Sequence, residues 1–343
     1  MKNFTRGCWK IFLGLLVAAA FAAPETPAPQ AFHPRANNSN VIRLWGNPSM
    51  AALVRAWSEG FRRAHPEWKI ESRLTATGLA MPGLYTGAAD IALFGRDTNV
   101  TDNDGFEHVL NYPSLRIELA TGSLDAFGKS CALAVFVSRD NPLTQLTLAQ
   151  LDALFGDEFR RGHTPIRRWS ELGVTGALAA KPISLYGYDP RSGPGVFFRH
   201  VALNDSQKMH GETYAEFSDH KNPDGSVRRA GAQAIAALAR DPAGIAIATP
   251  GDANSVVKRV AIAADDRGPF FLPTNETLIA RSYPFARPVF ACVNRPPGAP
   301  FDPKVRAFLA FVLSDDGQRA LAASSGYLPL SLAAARVEQA KLN

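Results

Sequence analysis

Cysteine is scarce in this chain, with three among 343 residues, at positions 8, 131 and 292. So few exclude a disulfide-stapled scaffold and any cysteine-rich metal framework. Histidine is nearly as rare. His200, His210 and His220 stand ten apart, not at the spacing that offers two ligands to one metal, and they read as surface or loop residues. The sequence also lacks a Gly-x-Ser-x-Gly nucleophile elbow, a Gly-Lys-Ser/Thr phosphate loop and a helix-turn-helix pattern. It therefore carries no catalytic signature, and no cofactor or metal is implied. Charge of one sign is missing too. The formal +6 falls by three, to +3, without Lys2, Arg6 and Lys10, and the remaining basic residues form no long block. That balance argues against nucleic acid and membrane surfaces as partners.

What is present begins with an address. Residues 1–23 join a basic start, an apolar run (Ile11–Ala19) and a small-residue end, Ala20-Phe21-Ala22-Ala23. This layout predicts a secretory signal peptide cleaved after Ala22 or Ala23, the rival being an uncleaved anchor. The run is too short to span a bilayer, and no later segment approaches that length. Cys8 precedes the apolar core, which argues against a lipoprotein anchor. Residues 24–40, rich in Pro and polar side chains, predict a disordered lead-in. The mature chain is thus expected to be soluble and exported, periplasmic or secreted. Its two remaining cysteines allow one disulfide or a pair of buried thiols.

The length suits about two domains. Strands alternate with helices, which predicts parallel α/β architecture. Val41–Trp45 runs as an apolar strand into Gly46-Asn47-Pro48. An amphipathic helix follows, with Met50, Leu53, Val54, Trp57 and Phe61 on one face and Ser49 as its expected N-cap. Trp68–Leu74 leads to the turn Thr75-Ala76-Thr77-Gly78, and Ala89–Phe94 leads to Gly95-Arg96-Asp97. Pro182–Tyr188 is a strand that meets Asp189-Pro190-Arg191-Ser192-Gly193-Pro194, with Ser192 as cap of the next helix. Ala132–Val137 and Pro288–Val293 read as continuous buried strands, Leu146–Phe155 as a helix capped by Thr147, and Asn204–Arg229 as a polar, loop-rich segment. A helix that starts at a hydroxyl after a tight turn presents N–H groups and a positive dipole end to an anion. In parallel sheets such loops gather at the carboxyl ends of the strands.

An ordered set of landmarks resembles the periplasmic substrate-binding proteins of phosphate ABC transporters. They are Gly46-Asn47-Pro48-Ser49-Met50, Thr77-Gly78, Ala89-Asp90-Ile91, Leu146–Leu151, Trp169–Gly173, Ser192-Gly193, Arg287-Pro288-Val289, Phe311–Gln318 and Gly326-Tyr327-Leu328-Pro329-Leu330. The resemblance implies a two-lobe, type II periplasmic-binding-protein-like α/β fold with two crossing hinge strands, Ala132–Val137 and Pro288–Val293. Lobe 1 would comprise 41–131 plus 293–331, lobe 2 would comprise 132–292, and 332–343 would form a C-terminal tail. It also implies a monomer, no enzyme activity, and a small oxyanion, most naturally phosphate, delivered to an ABC permease in the inner membrane. The alternative is an exported module of the same fold with a sensing, scavenging or envelope-scaffold role and weak or no phosphate binding.

Carried over position by position, the ligand-binding residues are Ser49, Met50, Thr77, Gly78, Gly95, Arg96, Ser192 and Gly193. Arg191, like Arg96, is a candidate for the cation that the family commonly places four residues before the serine, where this chain has Tyr188. Pro194 departs from the family's Ser-Gly-Thr and removes a hydroxyl and an N–H. A carboxylate in the cleft would favour hydrogen-phosphate over sulfate, and Asp97 and Asp189 are the candidates. The crossing strands would bring Cys131 and Cys292 together as a hinge disulfide.

Overall fold

The computed structural model describes residues 40–96, 98, 100–124 and 130–343, all in one compact unit. The signal peptide, the lead-in up to residue 39 and Asp97 lie outside the described residues.

The first lobe begins with β1 (Val41–Gly46), α1 (Ala51–Ala64), β2 (Lys69–Leu74), α2 (Ala80–Tyr85), β3 (Ile91–Phe94), α3 (Val100–Leu110) and β4 (Leu115–Thr121). The chain then builds β5 (Ala134–Ser138), β6 (Gln145–Thr147), α4 (Leu148–Phe155), β7 (Ser184–Tyr188), α5 (Gly193–Ala202) and β8 (Tyr214–Phe217). A ribbon of β9 (His220–Lys221) and β10 (Val227–Arg228) follows, then α6 (Ala230–Leu238), β11 (Gly244–Ala248), β12 (Val257–Ala263) and α7 (Asn275–Ile279). It ends with β13 (Pro288–Val293), α8 (Pro303–Val312), α9 (Asp315–Ser324) and α10 (Leu332–Ala340). Among the described residues no helix is long and apolar enough to cross a membrane.

The strands form a five-stranded sheet in the order β2-β1-β3-β13-β4 and a six-stranded sheet in the order β6-β12-β5-β11-β7-β8. Pairing is parallel except around β13 in the first sheet and β5 in the second. Each exception is the strand that the chain lays down on arriving from the other sheet. Among the described residues the crossings comprise 122–124 with 130–133, and 280–287. The first takes in Ala132 and Leu133, the start of the expected strand Ala132–Val137, and the second ends just before Pro288–Val293, because β5 and β13 are each absorbed into the sheet they enter.

Alternation along each strand decides which layer a residue joins. Ile91 and Leu93 face α1, α8 and α9, packing with Trp57, Phe61 and Phe308, whereas Ala92 and Phe94 face α2 and α3. In the second sheet Val135 and Val137 join Leu151 and Phe198, while Ala134 and Phe136 meet Ala234 and Leu238 of α6. Local capping agrees with the sequence at two helices. Thr147 and Gln150 form a reciprocal capping box on α4, and Ser192 caps α5.

Three expectations are corrected. Cys131 and Cys292 are not bridged. Cys292 sits in β13 opposite Ala92 and Arg116, and Cys131 bridges Ser123 at the first crossing, so the strands expected to run side by side lie in different sheets. Residues 332–343, expected as a C-terminal tail, pack onto the first lobe, since Ala335 of α10 and Leu342 just past its end join that core and Glu338 accepts from the Glu118 amide. The stretch Asn204–Arg229 contains β8 and the β9–β10 ribbon.

Candidate functional site

Strand ends from both sheets and both crossings surround a cavity of about 400 Å³. The loop after β1 contributes Asn47, Ser49 and Met50, the loop after β2 contributes Thr77, and the loop after β3 contributes Gly95 and Arg96. The crossings add Ser130 and Arg287. From the second lobe come Gly193 and Pro194 at the start of α5, and Asp219 beyond β8. Of the residues named from sequence, Ser49, Met50, Thr77, Gly95, Arg96 and Gly193 thus share one hollow, and Gly78, Arg191 and Ser192 are not on its wall.

The first loop differs from expectation in its donors. Asn47, not Ser49, is the cap, and its Oδ1 accepts from the Ser49 amide at 2.9 Å. The Met50 amide donates to the Asn47 carbonyl at 3.0 Å, and that of Ala51 donates to the Pro48 carbonyl. A single 3-10 turn before α1 therefore consumes the amides expected to face an anion, so this loop offers side chains instead. Asn47 Nδ2 donates to Thr77 Oγ1 at 3.0 Å, which ties the first two loops and directs the threonine proton elsewhere.

Gly95 is required by close approach. A Cβ there would lie 1.8 Å from Ser130 Oγ and 2.4 Å from Met50 Cε. Arg96 lies on the wall with its charge matched, since Nη1 donates to Asp102 Oδ2 at 2.7 Å at the start of α3.

At the third helix start, Ser192 Oγ accepts from the Gly195 amide at 3.2 Å and donates to the Asp189 carbonyl at 2.7 Å. The hydroxyl is used in capping, which keeps it from the cavity. Pro194 has no N–H, and an amide in the first turn, as at Gly193, has no intrahelical acceptor. Arg191 points outward, 84% exposed, and its amide, Nε and Nη2 all donate to the Asp189 carboxylate. These bonds hold the Asp189 carboxyl below its ordinary range and withdraw both residues from the roles expected of them.

Arg287 is the residue that sequence reasoning passed over. It is 7% exposed, its Nη2 donates to the Gly95 carbonyl at 2.8 Å, and its guanidinium lies 5.3 Å from the Phe197 ring. A Cβ on Gly193 would stand 3.9 Å from the same Nη2, so the cation adjoins the start of α5. The sequence did hold a signal, a lone arginine inside the otherwise apolar stretch Tyr283–Val293. Tyr188, four residues before Ser192, stays protonated: burial and then nearby Asp252 push its pKa up. The cavity carboxylate is Asp219, which accepts from the Ala230 amide at 2.8 Å. Among the described residues no group of His, Cys, Asp or Glu could hold a metal ion.

A PBP superfamily domain matches residues 130–316, more than half of the chain. The phosphate-binding protein PstS of Pseudomonas aeruginosa is 27% identical over 331 residues, 96% of this chain and 95% of that protein. Two solved structures share the fold at low identity. PstS from Borrelia burgdorferi gives a TM-score of 0.57 at 17% identity, covering 85% of this chain and 99% of its own. An ABC-type phosphate transport receptor from Vibrio cholerae gives 0.53 at 18%, covering 84% and 99%. The chain belongs to the PBP superfamily, as a two-lobe solute-binding protein similar to those of phosphate ABC transporters, and not as an enzyme.

Proposed function

We propose that this chain is an exported protein that captures a small oxyanion, with inorganic phosphate as the leading ligand, and presents it to an ABC permease. The observation that carries the reading is Arg287, a buried guanidinium set at the junction of both lobes and bordering a hollow lined by hydroxyls from several loops. A guanidinium suits a tetrahedral oxyanion because its planar fork donates two parallel hydrogen bonds. Ser49, Thr77 and Ser130 add neutral donors, and the Gly193 end of α5 adds an amide with the positive end of a helix. Arg287 would thus stand in for the cation that Tyr188 does not provide. Asp219 supplies the acceptor that a protonated phosphate needs and that sulfate, without a proton, cannot use. Ligand held between the lobes favours their closed arrangement.

Isothermal titration of ligand-stripped chain with phosphate, sulfate and phosphonates tests the reading. Phosphate is expected to bind, sulfate to bind more weakly, and Arg287→Met to lose at least tenfold, the order expected for one charge-assisted contact. Equal affinity for sulfate would remove the role of Asp219, and an unaffected Arg287→Met would move the site elsewhere. A specific observation favours a second reading, an envelope sensor or scaffold with little phosphate affinity. The Ser49 and Met50 amides are spent internally and Pro194 offers none, so the donor set is lean. A folded chain that takes up no oxyanion supports that reading.

A further inference from the structure

Tyr327 lies beneath the cavity, 1% exposed, with its ring in the apolar layer under the first sheet. Its phenol oxygen is a meeting point of segments far apart in sequence. It accepts from the Ser130 amide at 3.1 Å and donates to the Ser49 carbonyl at 3.3 Å, with Met50 Sδ 4.0 Å away. Those three partners line the cavity, and Tyr327 does not. The next residue is pinned as well, since Leu328 and Thr121 exchange backbone hydrogen bonds of 2.8 and 2.9 Å at the end of β4, where the first crossing begins. On its other side Ser130 Oγ fills the space beside Gly95, where an added Cβ would come within 1.8 Å of it. Ser130 is therefore held between a phenol behind and the end of β3 in front.

We propose that Tyr327 is a positioning residue for the cavity, its hydroxyl fixing the loop of Ser49 and the crossing of Ser130 at one separation so that both hydroxyls meet the same anion. This rests on the oxyanion reading of the cavity. Hydrogen bonds weaken steeply when misaligned, and donors ordered before binding lose no freedom on binding. The rival is a core aromatic whose hydroxyl is merely satisfied. Both accounts expect Tyr327→Phe to be less stable, because the buried Ser130 amide loses an acceptor. Only the positioning role couples Tyr327 to Ser130.

The test is a double-mutant cycle of Tyr327→Phe and Ser130→Ala, read by titration with inorganic phosphate. Tyr327→Phe is expected to weaken binding roughly tenfold, and the double variant to be little weaker than Ser130→Ala alone. Additive losses, or an unchanged affinity in Tyr327→Phe, would overturn the assignment. Amide hydrogen exchange of the ligand-free full chain gives an independent reading. Faster exchange confined to residues 47–50 and 130–133 in Tyr327→Phe supports positioning, and a uniform increase across the first lobe refutes it. A wild-type chain that binds no phosphate ends the oxyanion reading by itself, and the exchange pattern then decides the role of Tyr327.

Discussion

Asp90, at the foot of β3, joins three segments of the first lobe, and replacing it with Asn measures what that junction contributes. Its carboxylate accepts from the Arg43 amide at 2.8 Å, from Arg43 Nε at 3.1 Å and from Arg43 Nη2 at 2.9 Å, and Lys304 Nζ stands 3.4 Å away. The side chains of Asp90 and Lys304 are 2% and 7% exposed. Breaking such a buried pair costs about 3–5 kcal/mol, since the partners keep their charge and lose its match. Arg43 retains the Gly87 carbonyl and Lys304 that of Val41, so the lower end, about 3 kcal/mol, is expected for Asp90→Asn at pH 7. Acid dependence gives a second reading. Burial alone would raise the Asp90 carboxyl, but the bonds from Arg43 and the charge of Lys304 outweigh it and hold the carboxyl below its ordinary value. A depressed carboxylate contributes stability above the unfolded value, near about 3.9, and loses it as the pH falls through the folded value. Urea unfolding followed by circular dichroism between pH 7 and 3 should show a wild-type loss at the acid end that is smaller in Asp90→Asn. A destabilisation under about 1 kcal/mol at pH 7, within the range of an exposed pair, would refute the reasoning. So would an acid profile identical to wild type.

Ser192→Ala should cost about 1 kcal/mol of stability as a lost helix cap, yet leave phosphate affinity within about twofold, because its hydroxyl caps α5 and does not line the cavity. A tenfold loss in titration would return Ser192 to the site. Arg191→Ala should leave affinity unchanged at ordinary salt, and a large loss would contradict its outward pairing with Asp189. Purified chain beginning at residue 24, denatured without reductant, should yield two titratable thiols, and none would reinstate a disulfide. In the native chain Cys292 should resist alkylation at pH 8, since burial pushes its pKa up to about 11.

Much of the architecture was legible because local signals agreed with the tertiary outcome. Pro288–Val293 matches its strand, and Thr147 and Ser192 cap the helices they precede, because apolar runs and short polar caps act within a few residues. The β9–β10 ribbon was illegible, since its residues are exposed and have no buried face to impose alternation. The cavity was half legible. Loop ends converge wherever parallel strands end together, and the family resemblance picked out Thr77 and Gly95 on them. Arg287 was not named, because its contact with Gly95 spans 192 positions and its one local signal, a lone arginine in an apolar stretch, does not say which loops it meets. Ser49 was misassigned by one structural detail, the 3-10 turn that gives the cap to Asn47.

The antiparallel strand at the heart of each sheet has a bearing on how this molecule is assembled. β13 separates β3 from β4, yet it is synthesised about 170 residues after β4. Until it arrives, β3 and β4 each keep an unpaired edge. Closing that gap requires a distant contact with a large loop-closure cost, so the opening lobe is completed only when nearly all of the polypeptide is available.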